Sequence, residues 1–243
     1  MKVIRSTNPK QEATVALAKL FKEYKNIPVL FLSSGGSALS LLGPEILAEN
    51  PQMTVSVLDE HYVADPNERN YEKLKKTEFF EEFSKSKTPH PTSPLKRGGG
   101  ATFDLYGGEV EEAGRRFDAF LKDWMHENPD GKIACTVGMG ADGHIAGIVP
   151  FSDAVLFEKL FNNPETLAVG YKTDYGPVPE RVTATFNLLK KASDVILYVA
   201  GKEKTEIIQS FLNDEKLPHE FPALFLKTLP RLTFFTEVFT IIN

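Results

Sequence analysis

Apolar residues along this chain fall into two alternating patterns. Short continuous runs predict strands buried on both faces, as at Ile27 to Leu32, Ile133 to Val137 and Val195 to Ala200. Met53 to Leu58 and Arg181 to Phe186 alternate and predict further strands, and Thr166 to Tyr171 reads as another. Between them, apolar residues recur three and four apart. Ala13, Ala16, Leu17, Leu20, Phe21 and Tyr24 predict an amphipathic helix over residues 9 to 25, begun near Asn8-Pro9. Gly108 to His126 predicts a second long helix, with Phe117, Phe120, Leu121 and Trp124 as its core face. Helices are also expected over residues 39 to 49, 70 to 83, 151 to 161 and 201 to 212, with Pro44 kinking or restarting the first. Lys85 to Gly100 is rich in Pro, Ser, Thr, Lys and Gly and reads as a surface loop. The tail offers two β-like runs, Ala223 to Leu226 and Leu232 to Ile242. Strands alternating with helices imply βαβ units, hence an α/β fold with a mostly parallel sheet and helices on both faces.

A chain of 243 residues has room for one α/β domain with a substantial core, and the motifs below converge on one site, so residues 1–243 are read as a single domain. A net charge of -5 with no long basic run argues against nucleic acid or an anionic membrane as the main partner. No stretch approaches the roughly 20 apolar residues of a membrane span. Met1 to Glu12 lack the apolar core of a signal peptide, so a cytoplasmic protein is expected. The single cysteine, Cys135, lies in an apolar run and reads as a buried structural thiol.

The chemistry centres on the stretch after Val137. Gly138, Gly140 and Gly143 fall within six residues at a strand end, interleaved with Asp142 and His144. Such a cluster lets the backbone turn sharply and approach a ligand. It leaves Asp142 and His144 at the carboxyl edge of the sheet, where open α/β sheets bind ligands. His144 is the expected centre of the reaction. A second junction, Ser33-Ser34-Gly35-Gly36-Ser37, follows another buried strand. It reads either as a plain strand-to-helix turn or as a phosphate cradle of backbone N–H groups and serine hydroxyls. It is neither a Walker loop nor a dinucleotide fingerprint. Asp59-Glu60 at a third strand end is either a solvated loop start or a base beside a substrate, and alone the pair favours solvation. Lys204, after Gly201, is either an exposed first-turn residue or a phosphate contact. Histidines 61, 90, 126, 144 and 219 show no His-x-x-x-His spacing, and no cysteine pair exists, so no metal is expected. No Gly-x-Ser-x-Gly elbow is present. Acid–base work on a small anionic substrate is what remains.

Five blocks then occur in the order seen in 6-phosphogluconolactonases: Ser34-Gly35-Gly36-Ser37, Asp59-Glu60, Gly138 to His144, Pro179 to Thr183, and Gly201 to Lys204. The wider superfamily also holds glucosamine-6-phosphate isomerases/deaminases. The resemblance covers roughly residues 10 to 215. It implies a Rossmann-like α/β fold and hydrolysis of 6-phospho-D-glucono-1,5-lactone to 6-phosphogluconate, a step of the oxidative pentose phosphate pathway that needs no cofactor. His144 then matches the catalytic histidine. Ser34, Gly35, Gly36 and Ser37 match the phosphate loop, and Arg181 and Lys204 the cations facing the phosphate. Asp142 and Asp59 match acidic positions, either of which could orient the imidazole. The implied partner is a small sugar phosphate, and the chain is expected to act as a monomer or small homo-oligomer.

Departures from the lactonase pattern bear on the site. His61 stands where an arginine usually follows Asp-Glu. Ala38-Leu39 replace Thr-Pro, Arg69-Asn70 replace Ser-Asn, and Gly176 to Pro179 replace Lys-Pro-Pro. Arg69 is the candidate to restore the missing charge from a neighbouring position. Isomerases of the superfamily resemble one another in an Asn-Glu-Pro segment whose glutamate assists the histidine. The matching stretch here is Ile148-Val149-Pro150, with no titratable group. Asp59 could still serve as their carbon acid base. The alternatives to a lactonase are an isomerase/deaminase-like enzyme and a sugar-phosphate-binding regulator without turnover.

Overall fold

The computed structural model describes residues 1–46, 50–85 and 101–237. Its first strands are β1 (Lys2–Ser6), β2 (Val29–Ser33), β3 (Met53–Val57), β4 (Asp59–His61) and β5 (Ala101–Phe103). β6 (Lys132–Val137), β7 (Ala168–Lys172), β8 (Glu180–Ala184), β9 (Asp194–Val199) and β10 (Leu232–Glu237) follow. Seven of them form one sheet in the order β1-β10-β9-β6-β2-β3-β5, and every adjacent pair runs parallel. The centre of this sheet is fully covered: all five residues of β2 and all five of β3 are buried. That is why these segments read as apolar runs rather than as strict alternation. The other three strands make a small antiparallel sheet, β4-β8-β7. Only Leu58 separates β4 from β3, so the two sheets meet where the site will lie.

The helices are α1 (Pro9–Glu23), α2 (Asn70–Lys75), α3 (Glu78–Lys85), α4 (Val110–Glu127), α5 (Ala154–Phe161), α6 (Phe186–Lys191) and α7 (Thr205–Asn213). α1 begins as its sequence dictates, with Pro9 in the first turn and Asn8 accepting the Gln11 N–H. It packs on β1, β9 and β10. α4 buries Phe117, Phe120, Leu121 and Trp124, the face its periodicity marked. It sits directly on β7, because two glycines face each other there. A Cβ on Gly114 would lie 1.9 Å from the Gly170 nitrogen. The backbones approach to a distance that no side chain permits, and this seats the small sheet.

Several elements differ from the expectation, each for a local reason. The stretch 70 to 83 is two helices, because Thr77 interrupts it: its hydroxyl donates to the Leu74 carbonyl at 2.8 Å and accepts the Phe80 N–H at 3.2 Å. The glycine-serine loop opens a short 3-10 helix, Gly36–Leu41, in place of a helix beginning at Leu39. Phe186 leaves the strand and starts α6. Ala223 to Leu226 lie in a 3-10 helix, Pro222–Thr228, not a strand. A short buried apolar run does not reveal its backbone, and Pro222 tips this one toward helix. β1 and β5 are short and weakly apolar, so the apolar pattern does not mark them. Residues 86 to 100, with His90, lie outside the described residues, as do 47 to 49 and 238 to 243.

Gly114→Ala should therefore force α4 off β7. The expected loss is about 1–3 kcal/mol of stability, the usual range for overpacking, read from urea unfolding. An unchanged midpoint would refute the tight seating.

Candidate active site

Strand order reverses between β2 and β6. From β2 the chain builds outward through β3 to β5, and from β6 it builds the other way through β9 to β10. Crevices beyond the carboxyl ends of strands at such a point bind ligands in open α/β sheets. Both glycine-bearing loops leave from these two strands. They are tied together by the Gly138 N–H, which donates to Ser34 Oγ at 3.0 Å, and by the Ser34 N–H, which donates to the Thr136 carbonyl at 2.9 Å. Between them lies a cavity of about 340 Å³, with Ser34, Gly35, Gly36 and Ser37 along one wall. The Ser37 hydroxyl is anchored on the Tyr198 carbonyl of β9 at 3.4 Å.

His144 lines the same cavity. Its Nδ1 lies 2.6 Å from Asp142 Oδ1, which also accepts the His144 backbone N–H at 3.1 Å. An ionised carboxylate only accepts, so the proton belongs on Nδ1 and Nε2 is left as an acceptor. Burial works to raise the Asp142 carboxyl. The imidazole bond and charge, with help from the Tyr175 hydroxyl, outweigh it and hold the group well below the usual carboxylate range. Asp142 is not part of the cavity wall; it faces a second recess beside Glu206, Lys216 and Glu220. The pair fits because position 140 is glycine: a Cβ there would lie 2.1 Å from the imidazole Nδ1. Just beyond, Ala146 adopts a left-handed φ of 47°. That conformation costs about 1–2 kcal/mol. The Thr183 and Tyr171 hydroxyls stabilise it by donating to the carbonyls of Ala146 and Gly147.

Asp59 and Glu60 are not a solvated loop start. They form β4 and are buried, with Asp59 4% and Glu60 0% exposed. The Glu60 carboxylate accepts the backbone N–H groups of Asn70 and Tyr71, the first two residues of α2. Burial outweighs these bonds and pushes its pKa up to about 7. Asn70 Nδ2 in turn donates to the Asp59 carbonyl and to Asp59 Oδ2, both at 3.0 Å. Asp59 Oδ1 is buried with no partner among the described residues. Burial pushes Asp59 up to about 6, against the pull of Arg181, His144 and Asn70.

Arg181 enters the cavity through the small sheet, where β8 pairs with β4 and sets Arg181 opposite His61. It is 6% exposed, and its Nε has no partner among the described residues. Lys204 lines the cavity too, its ammonium donating to the Met139 carbonyl at 3.1 Å. Arg69 does not join them. Its Nε and Nη2 donate to the Val63 and Ala64 carbonyls at 2.8 and 2.7 Å, and its guanidinium lies 3.3 Å over the Tyr106 ring. These contacts turn it away from the cavity. The third cation of the wall is Lys73, with Asn70 and His61 beside it. Sequence reasoning assigned no role to Lys73 or Asn70. The available signal was their spacing, three apart on one helix, which puts both on one face. Burial and the charges of Arg181 and Lys73 push His61 down to about 4, so it is neutral near pH 7. Among the described residues no three His, Cys, Asp or Glu side chains cluster as metal ligands would, and no helix is long and apolar enough to cross a membrane.

A parallel α/β sheet places a histidine–aspartate pair and three cations around a switch-point cavity, an arrangement chemically able to hold a small anion beside an acid–base group. The profile of the glucosamine-6-phosphate isomerases/6-phosphogluconolactonase family matches residues 11–233, and the chain belongs to that family. It is similar to the 6-phosphogluconolactonase of Mycobacterium leprae, 24% identical over 188 residues, which are 74% of this chain and 70% of that one. It is also similar to a probable 6-phosphogluconolactonase of Drosophila melanogaster, 34% identical over 87 residues, 36% of this chain. That match spans 33% of the fly protein's length. A 6-phosphogluconolactonase structure from Shewanella baltica superposes with a TM-score of 0.72 at 17% identity, covering 98% of this chain and 97% of the other. A monomeric glucosamine-6-phosphate deaminase superposes with a TM-score of 0.68, also at 17% identity, covering 98% and 97%. The expected family and α/β fold are those found.

Asp59 gives the site a pH signature. With a folded pKa of about 6 against an ordinary 3.8, it keeps a proton that the unfolded chain has released. Its contribution therefore falls as pH rises from about 4 to about 6. Asp59→Asn lacks this titration. Relative to the parent it should gain about 1–3 kcal/mol across that window, read from urea unfolding at both ends. A difference independent of pH would contradict the buried, protonating carboxyl.

Proposed function

We propose that this protein hydrolyses 6-phospho-D-glucono-1,5-lactone to 6-phosphogluconate, in the cytoplasm, as a step of the oxidative pentose phosphate pathway. The observation that carries the reading is the His144–Asp142 pair, 2.6 Å apart, with His144 on the same cavity as Arg181, Lys204 and the glycine-serine loop. The names of the lactonase relatives support the substrate. In this mechanism Ser34, Gly35, Gly36 and Ser37, with Arg181 and Lys204, hold the phosphate dianion. Fixing that remote group brings C1 of the lactone to His144. Nε2 takes a proton from water as the water oxygen bonds to C1. The imidazolium returns that proton to the ring oxygen as the C1–O bond breaks. The carboxylic acid so formed releases its own proton to solvent. Asp142 stabilises the transient imidazolium, and Asp59 adds to this when ionised.

One observation favours the sister chemistry. Asp59 Oδ1 is buried, without a partner among the described residues, and its residue lines the cavity, which suits removal of a proton from C2 of an amino-sugar phosphate. Against it, Val149 is buried and apolar at the position of the glutamate that the isomerase resemblance requires.

Hydrolysis of freshly prepared lactone, corrected for its spontaneous opening, separates these readings. Wild type should accelerate it, and His144→Ala should lower turnover by roughly 10²–10⁴-fold with KM nearly unchanged. Arg181→Met should raise KM. Full turnover in His144→Ala would remove the histidine from the mechanism. Turnover of glucosamine 6-phosphate in place of the lactone would favour the second reading.

A further inference from the structure

Lys73 is the cation of the cavity to which neither the motifs nor the mechanism above assigns a role. It lies three positions after Asn70, so α2 presents both on the cavity side. Its ammonium donates to the Glu68 carbonyl at 3.0 Å, the same carbonyl that the His61 ring engages. An ammonium carries three donors, and no carboxylate stands within ion-pair distance of this one among the described residues. Its neighbours Lys75 and Lys76 are occupied elsewhere, on Glu72 and Asn67. Lys73 is thus held beside the cavity with donors to spare.

Its position differs from that of Lys204. Lys204 follows β9, whereas Lys73 follows β3 and β4, and the sheet order sets β6 and β2 between those strands. At about 4.8 Å per strand step, the two lysines enter from opposite walls. The Lys204 wall carries Ser37, anchored on β9. The Lys73 wall carries His61 and Asp59, both close enough to feel the charge of His144, and Arg181 stands against the same pair, opposite His61. His61 is neutral near pH 7 and brings no charge of its own there. Lys73 therefore enters beside the reacting atoms, on the wall opposite Lys204 and the anchored Ser37.

We infer that Lys73 is a ligand-binding residue that holds the oxygens at C1, the lactone carbonyl and then the product carboxylate, while Lys204 and the glycine-serine loop hold the phosphate from the opposite wall. This rests on the lactonase reading. The reaction converts a neutral ester into a carboxylate, so a cation at C1 favours the charge that develops during ring opening. It also gives the site a preference for sugar phosphates that carry a second anion.

The test compares two ligands that differ at C1 alone: 6-phosphogluconate, with a carboxylate, and glucitol 6-phosphate, with a hydroxymethyl group. Calorimetric titration of the full chain should show Lys73→Met binding 6-phosphogluconate at least tenfold more weakly, with glucitol 6-phosphate changed less than threefold. Lys73→Arg should restore most of the loss, and Lys204→Met should weaken both ligands alike. Equal weakening of both by Lys73→Met would place the lysine on the phosphate and overturn the inference. So would no weakening of either. A wild-type protein that binds neither ligand would overturn the lactonase reading itself, and this inference with it. Thermal unfolding of each variant confirms that it is folded.

Discussion

The cavity is organised by two adjacent carboxylates buried at the end of β3. A carboxylate out of water is costly unless its oxygens find donors. Glu60 finds them in the first two N–H groups of α2, which fixes where that helix begins and how it is aimed. Asp59 finds Asn70, the first residue of the same helix. The helix that satisfies the carboxylates is thus the one that delivers Asn70 and Lys73 to the cavity. On the other side, the β4 backbone carrying the two acids pairs with β8, and that register alone sets Arg181 opposite His61. Neither Lys73 nor Arg181 would face the cavity if this pair were solvated.

The histidine loop answers to a different constraint, that of room. The imidazole must lie flat against the turn for Nδ1 to reach Asp142, and a side chain at position 140 would occupy its place. From outside, the Ala223 N–H donates to the Gly143 carbonyl at 2.9 Å, so the late 3-10 helix braces the same turn. The loop is thus braced on both sides. A histidine whose tautomer and direction are fixed in advance needs no reorganisation when a proton moves.

Much of this was legible in the sequence, and the failures have physical causes. Buried central strands such as β2 and β6 were plain because complete burial leaves an uninterrupted apolar run. The edge strand β1 was not, since Lys2 and Arg5 are exposed and leave little apolar signal. Ser34, Gly35, Gly36, Ser37, Asp59, His144, Arg181 and Lys204 all came together on one cavity, with Asp142 directly behind His144. Their signal was local, in glycines and charges at strand ends. Taken alone, Asp59-Glu60 favours solvation over a base beside a substrate, because the donors that satisfy Glu60 lie ten and eleven residues away, across a turn. Arg69 was misplaced for a related reason. Nothing near it in sequence announces that Tyr106 will stack under its guanidinium. Choosing between Arg69 and Lys73 required the helix axis, which Glu60 sets.

The site also bears on the stability of the fold. Lys73, Arg181 and Lys204 surround a cavity whose wall carries one carboxylate, Asp59, itself held partly toward its neutral form by burial. Like charges in a half-buried space repel, and here solvent screens them less than it would on an open surface. The buried Asp59 Oδ1 and Arg181 Nε add the cost of unmet polar groups. The fold carries these costs at the cavity, and core packing elsewhere offsets them. A dianion bound as proposed would reverse the sign of the largest of them, turning repulsion among cations into attraction for one partner. On the proposed function, the arrangement that costs the fold stability at the cavity is the one that would favour a sugar phosphate there.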